Sequence, residues 1–441
     1  MKTDILIVGA GPAGLAAAAS ASSCGARVDV IDDNFHSGGQ IWRGGAGNHK
    51  DPRASALWQS LSECKNVRFH FQTRVLHARS ADSSSFTHQL LTESAGTSST
   101  FESTQLILAT GARELLLPFP GWTLPGVTGA GGLQALSKNG FPVQGKRIVV
   151  AGSGPLLLAV ATSLIERGAI VTHILEQASL PKLGRFALSL CATPSKIWQG
   201  LQLRKGLSNT SYCSNSYVLA ARSEGQAHGH LNSVQVSING TTQVLECDYL
   251  ACGFGLLPNS ELAASLGCEL DLSQGFAKVS VDQWQASSIA QVYCAGESTG
   301  VGGVDLALAE GAIAGFAAGG NQERARSYFN QRQRWLHFSR RLASGFALRA
   351  ELRQLADADT LVCRCEDVSY GKLQAHDNWR SAKLHTRCGM GACQGRICGA
   401  ASQFLFNWSK DAGRLPFAPS RIDSLCKLGA LPDSSAPVTK N

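Results

Sequence analysis

Continuous apolar runs punctuated by glycine turns recur along the first three quarters of the chain. Residues 4–8 (DILIV) lack the alternation of a half-exposed strand and predict one buried on both faces. GAGPAGLAAAASASSCG follows as a turn entering an Ala-rich helix, and 27–32 (RVDVID) returns as a second strand. The Ser/Thr-rich stretch 79–104 carries short alternating apolar runs and predicts small strands and turns. LILATGA (106–112) predicts another buried strand ending in a turn. Residues 145–176 (GKRIVVAGSGPLLLAVATSLIERGAIVTHILE) repeat the strand, glycine turn, helix, strand order, and 247–262 echo its opening. A third strand, glycine turn and helix fall in 292–315. Two copies of one βαβ unit imply two nucleotide-type folds in an α/β chain. The simplest arrangement is a first domain interrupted by a second.

The pattern changes from 323 to 354, where Tyr328, Trp335, Phe338, Leu342 and Phe346 recur at helical spacing. Eight arginines share this segment with only Glu323 and Glu351. It reads as a solvated basic helix between domains, or as a docking surface for an acidic partner or phosphate. The expected domains are 1–112 with 255–322, then 113–254, a helical linker 323–357, a cysteine-rich domain 358–410 and a Pro/Ser-rich tail 411–441 that wraps or frays.

Gly9, Gly11 and Gly14 stand at GxGxxG positions between a strand and a helix, the context in which that motif binds a dinucleotide pyrophosphate. Asp32, ending the second strand, is placed to accept from a ribose hydroxyl. Gly296-Glu297, between an apolar strand and a glycine-rich helix start, resembles the late glycine–acid motif of flavoproteins with two dinucleotide domains, with Glu in place of the usual Asp. Ala109-Thr110-Gly111 resembles their other flavin-side motif, so FAD is the expected cofactor. The second turn has Gly152 and Gly154, but Leu157 takes the third position, where it pushes helix from strand. With Glu176 ending the next strand, this is either a working NAD site or a fold kept for architecture, and the incomplete motif favours architecture.

Composition narrows the class. The 441 residues carry 40 Lys+Arg against 32 Asp+Glu, a net charge of +8 that is spread along the chain and does not call for nucleic acid. Charged residues make up only 16%, against roughly 25% in an average domain, which suits burial of surface against a partner subunit. Lys2 and the apolar N-terminus imitate a secretory signal, but Asp4 and the internal glycines oppose that reading. No transmembrane segment is expected, and the expected location is cytoplasmic. There is no HExxH, GxSxG or GxxxxGK[ST], and no redox cysteine pair follows the first βαβ unit. His36, His173 and His385 stand alone, so no catalytic residue is assigned.

Of the 14 cysteines, those in 363–398 carry the chemistry. Cys363-Arg-Cys365 and Cys393-Gln-Gly-Arg-Ile-Cys398 make two close pairs, a donor set for a [2Fe–2S] cluster or a structural zinc. Zinc sites more often use spacings of two to four residues, so this spacing leans to iron–sulfur. Cys388 is a rival ligand that breaks the two-plus-two symmetry.

VGAGPAGLAAA (8–18), GGQIWR (38–43), GSGPLLLAVA (152–161), GESTGVGG (296–303), CRCE (363–366) and GMGACQGRICG (389–399) together resemble, nearly end to end, the FAD-containing α subunit of heteromeric amino-acid dehydrogenases. D-hydroxyproline dehydrogenase, opine oxidase and hydrogen cyanide synthase belong to this group, with archaeal proline dehydrogenase and heterotetrameric sarcosine oxidase further off. The resemblance implies a glutathione-reductase-like flavoprotein with a C-terminal [2Fe–2S] domain. It places Gln40 and Arg43 near the flavin and allows an FMN at a subunit interface. It also implies an FAD-dependent β subunit bearing the substrate site, a small ferredoxin-like γ subunit in some relatives, and electron delivery to a quinone or dye-type acceptor, with location at the inner membrane as a peripheral protein. D-hydroxyproline or an opine is the favoured substrate. The rival readings are a self-contained NAD(P)H-dependent reductase of a ferredoxin-like acceptor, and a zinc-stabilised scaffold.

Overall fold

The computed structural model describes residues 1–47, 51–80, 88–223, 229–273, 275–409 and 415–429. The chain forms two compact units. One joins Met1–Gly111 to Pro258–Arg332 and the tail, and the other joins Ala112–Leu257 to Gln333–Asp411.

The first unit is built on a sheet in the order Val67–His70, Val28–Ile31, Lys2–Val8, Thr97–Leu108, His88–Ser94, Arg74–Ser80. Thr97–Leu108 pairs antiparallel with His88–Ser94 over its first half, and its last three residues pair in parallel with Val292–Cys294. Ile7 lies opposite both Val30 and Ile107 in parallel register. Alternate residues of this strand feed opposite cores. Ile5 and Ile7 pack with Leu15, Ala17 and Ala18 of the helix Pro12–Ser22, whereas Leu6 and Val8 pack with Leu90, Phe101 and Leu262. That double burial is why the run is apolar without alternation.

The helices Pro12–Ser22 and Val304–Ala318 pack backbone to backbone. A Cβ on Gly311 or Gly315 would fall 2.1 or 2.3 Å from the carbonyl oxygens of Ala13 and Ala17. This contact brings the Gly296 turn to the first glycine turn, since a Cβ on Gly296 would meet Ala13 Cβ at 2.7 Å. The tail adds the helix Ile422–Gly429, whose Ser424 hydroxyl donates to Glu93 at 2.7 Å. Residues 81–87 of the predicted small-strand region, and 410–414 and 430–441 of the cysteine-rich end and tail, lie outside the described residues.

In the second unit a parallel sheet runs Ser211–Cys213, Ile170–Glu176, Arg147–Gly152, Tyr249–Gly253, Val127–Gly129. Its core gathers Ile148, Val150, Val160, Leu164 and Ile174. An antiparallel meander follows over Ser216–Ser223, Leu231–Ile238 and Thr241–Glu246. The cysteine-rich region belongs to the same unit. Its strand Leu361–Cys363 pairs with Val368–Ser369, and its helices Trp379–Thr386 and Cys398–Phe406 enclose Val362, Leu373, Trp379 and Trp408. Trp122 Nε1 donates to the Leu361 carbonyl at 2.5 Å.

The single helical stripe expected over 323–354 is broken. Helices span Gln322–Arg326 and Phe329–Gly345, and a short 3-10 turn spans Ala350–Gln354. Tyr328 falls between the helices and packs on Phe316, with centroids 5.9 Å apart, while Phe346 lies beyond the helix end. Tertiary contacts at its two ends therefore override a periodicity that runs through both breaks. Several of the arginines are engaged within their own units: Arg332 pairs with Glu310, Arg341 donates to the Ser189 carbonyl, and Arg349 lies over Tyr217.

Candidate cofactor sites

The first glycine turn is tied to its surroundings by backbone and carboxylate contacts. A Cβ on Gly14 would fall 1.8 Å from the Gly9 carbonyl oxygen, so the helix starts in direct contact with the turn. A Cβ on Gly11 would stand 3.9 Å from Gly39 Cα, an ordinary contact distance. Asp32 accepts from Ala10 N at 2.6 Å and from Asn34 N and Nδ2 at 2.8 and 2.7 Å. Its carboxylate thus locks the turn to the end of the second strand. The GGQIWR loop closes on the same turn, with Gly38 N donating to the Ala10 carbonyl at 2.7 Å and the Trp42 side chain fully buried. Arg43 donates to Gln40 through Nη2, while its Nε is buried without a partner among the described residues.

Gly111 and Glu297 complete this region. Asn259 clamps the Ala109-Thr110-Gly111 turn, its N donating to the Gly111 carbonyl at 2.9 Å and its Nδ2 to the Thr110 carbonyl at 2.9 Å. No donor among the described residues bonds the Glu297 carboxylate, and burial pushes its carboxyl up to about 7. An unpartnered guanidinium nitrogen and an unpartnered acid are groups that a dinucleotide would satisfy.

Sequence reasoning missed the buried network below the Gly296 turn. Glu310 accepts from Gly296 N at 3.0 Å and from the Thr299 hydroxyl at 2.9 Å, and Arg332 Nε lies 3.4 Å away. Gln285, correctly oriented, accepts from the same guanidinium and donates to the Cys294 carbonyl. Burial raises the Glu310 carboxyl, with Arg332 opposing. The one available signal was a lone acid deep inside the apolar helix VDLALAEGAIAGFAA.

The second turn is built differently. Its helix opens with a tight Leu157 N to Gly154 O bond at 3.1 Å, whereas the first opens with Leu15 N to Gly11 O at 2.9 Å. Leu157 is buried, and Gly253 makes room for it: a Cβ there would stand 3.2 Å from Leu157 Cδ2. Glu176 accepts from Gly154 N at 2.7 Å and from Ala178 N at 2.8 Å, and burial pushes its carboxyl up to about 7. The chain's own residues crowd the mouth. A Cβ on Gly154 would meet the Phe346 ring at 3.7 Å, the Ser153 hydroxyl donates to the Phe346 carbonyl at 2.8 Å, and Gln177 bonds both Ala347 O and Arg349 N.

In the cysteine-rich region the sulfurs of Cys363, Cys388 and Cys398 lie within 4.8 Å of one another, all buried. Cys393 is hydrogen-bonded to both Cys398 and Cys365, which links the exposed Cys365 to the inner group. Gly391 permits that approach, since a Cβ there would fall 2.3 Å from Cys365 Cβ. Hydrogen bonds from neighbouring thiols lower Cys363 and Cys393 below the ordinary cysteine value. The inner group thus holds two of the four predicted ligands, Cys363 and Cys398, together with Cys388. A buried group of three thiols fits a thiolate-ligated metal centre.

Residues 3–314 match the pyridine nucleotide-disulphide oxidoreductase family. The chain belongs to that family and is an FAD-dependent oxidoreductase. It is 30% identical to an opine oxidase subunit of Agrobacterium tumefaciens, covering 90% of this chain and 84% of the relative. It is also 30% identical to the HcnB subunit of hydrogen cyanide synthase from Pseudomonas protegens, covering 90% of each. It stands with these flavoprotein subunits of heteromeric amino-acid dehydrogenases. L-proline dehydrogenase of P. horikoshii shares its fold, with a TM-score of 0.70 over 96% of this chain and 79% of that one at 18% identity.

Proposed function

We propose that this chain is the electron-carrying FAD/[2Fe–2S] subunit of a heteromeric dehydrogenase that oxidises the C–N bond of an amino or imino acid, with D-hydroxyproline or an opine as substrate. The observation that carries the reading is the grouping of the Cys363, Cys388 and Cys398 sulfurs within 4.8 Å of one another, in a chain whose first glycine turn lets helix and strand touch. When bound, FAD supplies two-electron redox chemistry and a [2Fe–2S] centre supplies one-electron steps. Gly9, Gly11 and Gly14 would admit the pyrophosphate, Asp32 would order the turn and meet the ribose, and Gln40, Arg43, Gly111, Gly296 and Glu297 would frame the flavin side. Cys363, Cys365, Cys393 and Cys398 would hold the metal centre. The FAD region would comprise 1–112 with 255–322, and the iron–sulfur region 358–410.

Substrate oxidation would fall to a β subunit, in line with subunit names among the relatives, and both an interfacial FMN and a γ subunit would fit the same assembly. A quinone acceptor and a peripheral position at the inner membrane complete the reading. No helix among the described residues is long and apolar enough to cross a membrane. The second fold, its turn engaged by Glu176 and Phe346, serves architecture, so NADH should not bleach the flavin of the isolated chain. Co-expression with the partner flavoprotein tests the assignment: dye reduction by D-hydroxyproline or opines should exceed background, and parity with background would refute it. Cys363→Ser and Cys398→Ser should each abolish the metal centre, Cys365→Ser should do so too, and Cys388→Ser should spare it. Loss in Cys388→Ser with retention in Cys365→Ser would reassign the fourth ligand.

A further inference from the structure

The helices Leu180–Ser189 and Pro194–Lys205 of the second unit bury no residue completely. Their inward side is partly covered: Phe186 packs on Phe338 and Phe346, with centroids 6.4 and 4.9 Å apart, and Lys196 turns in over Trp335 at 5.2 Å. Their outward side is apolar, the reverse of a surface helix in water. Leu180 is 68% exposed, Leu188 76%, Trp198 62%, Leu201 52% and Ile197 37%. At 100° per residue Ile197, Trp198 and Leu201 share one face of the second helix, and Leu180 and Leu188 share one face of the first.

The charges around these side chains have one sign. Lys182, Arg185, Arg204 and Lys205 are exposed on the same two helices, and no Asp or Glu occurs anywhere from 177 to 223. Even the other basic stretch, 323–354, carries Glu323 and Glu351 among its arginines. Contiguous exposed apolar surface marks an interaction site. Interfaces between proteins are depleted in Lys at their cores. A pair of short helices with Leu, Ile and Trp outward, ringed by Lys and Arg and free of acids, has the composition of an interfacial element that lies in the headgroup plane of an anionic bilayer.

We propose that the helices within 180–205 form a membrane-surface anchor that seats this protein on anionic lipid. Trp198, Leu201, Ile197, Leu180 and Leu188 enter the acyl boundary, while Lys182, Arg185, Arg204 and Lys205 meet lipid phosphates. The proposal rests on the peripheral membrane position proposed above and is independent of the substrate and cofactor readings, because the binding it describes needs neither.

Vesicle flotation of the purified full-length chain tests it, with vesicles of phosphatidylcholine alone and of phosphatidylcholine with one-third phosphatidylglycerol. The wild type should float with the anionic vesicles at least tenfold better than with the neutral ones, and should be released by high salt. Trp198→Glu with Leu201→Glu, and separately Arg204→Glu with Lys205→Glu, should each lower the bound fraction tenfold or more. These exposed side chains can be changed with melting temperature and flavin content intact, and both serve as folding controls. Equal binding to both vesicle types, no binding by the wild type, or unchanged binding by both variants would overturn the proposal. So would variants that still float normally but fail to co-purify with the partner flavoprotein, since the face would then be a protein interface.

Discussion

The two glycine turns of this chain share a sequence grammar and differ in what occupies them. At the first, Gly14 lets the helix touch the turn, Gly11 stands against Gly39, and Arg43 Nε and the Glu297 carboxylate lack partners among the described residues. At the second, Leu157 fills the seam, Glu176 is bonded to two backbone amides, and Phe346 lies over Gly154. Arg349 Nε beside the second turn is also buried without a partner among the described residues, so the packing of the seam, with Gly14 at one turn and Leu157 at the other, is what distinguishes the two. The βαβ grammar alone does not separate them. One residue, Gly14 against Leu157, does most of the separating.

Transplanting that residue should have the largest effect. Gly14→Leu puts a Cβ into the Gly9 carbonyl and should abolish flavin retention, with a loss of at least about 4 kcal/mol of stability, read by flavin absorbance and chemical denaturation. Glu310→Ala comes next. It strands the Arg332 guanidinium beside the Gly296 turn and should cost about 3–4 kcal/mol, and a stable Glu310→Ala protein with native flavin absorbance would show the network to be dispensable. The reciprocal change at the second turn, Leu157→Ala, should cost about 3 kcal/mol through a core cavity while leaving flavin content unchanged and conferring no bleaching by NADH. Gain of NADH bleaching there would show that Leu157 alone blocks the site.

The smallest effect is on pH dependence. Burial raises Glu176 from 4.5 to about 7, so the folded chain holds a proton that the unfolded chain releases. The associated stability is present in full below about pH 4.5 and is lost as pH rises through about 7. Melting temperature should therefore decline across that window, and Glu176→Gln should flatten the decline.

Much of this organisation was legible in the sequence because its causes are local. A strand, a glycine turn, an Ala-rich helix and a terminal acid are contiguous, and the cysteine spacing is short-range. What the sequence hid depends on tertiary approach. Phe346 reads as the last member of a helical stripe, yet the helix stops at Gly345 and the ring crosses to the second glycine turn. Glu310 reads as one polar residue in an apolar helix, and only packing against the Gly296 turn gives it a role. Cys388 breaks the spacing symmetry of the other four, but the fold brings its sulfur into the inner group. The outward apolar face of 180–205 is invisible to periodicity, which identifies a helix face without saying which way it points.

The central claim is that this chain carries electrons through a thiolate-bound iron–sulfur centre as well as a flavin. Low-temperature EPR of the anaerobically purified chain after dithionite reduction tests it most directly. The account predicts the signal of a reduced [2Fe–2S] centre, lost in Cys363→Ser. An EPR-silent chain containing one zinc would contradict it and make the cysteine cluster a structural pin.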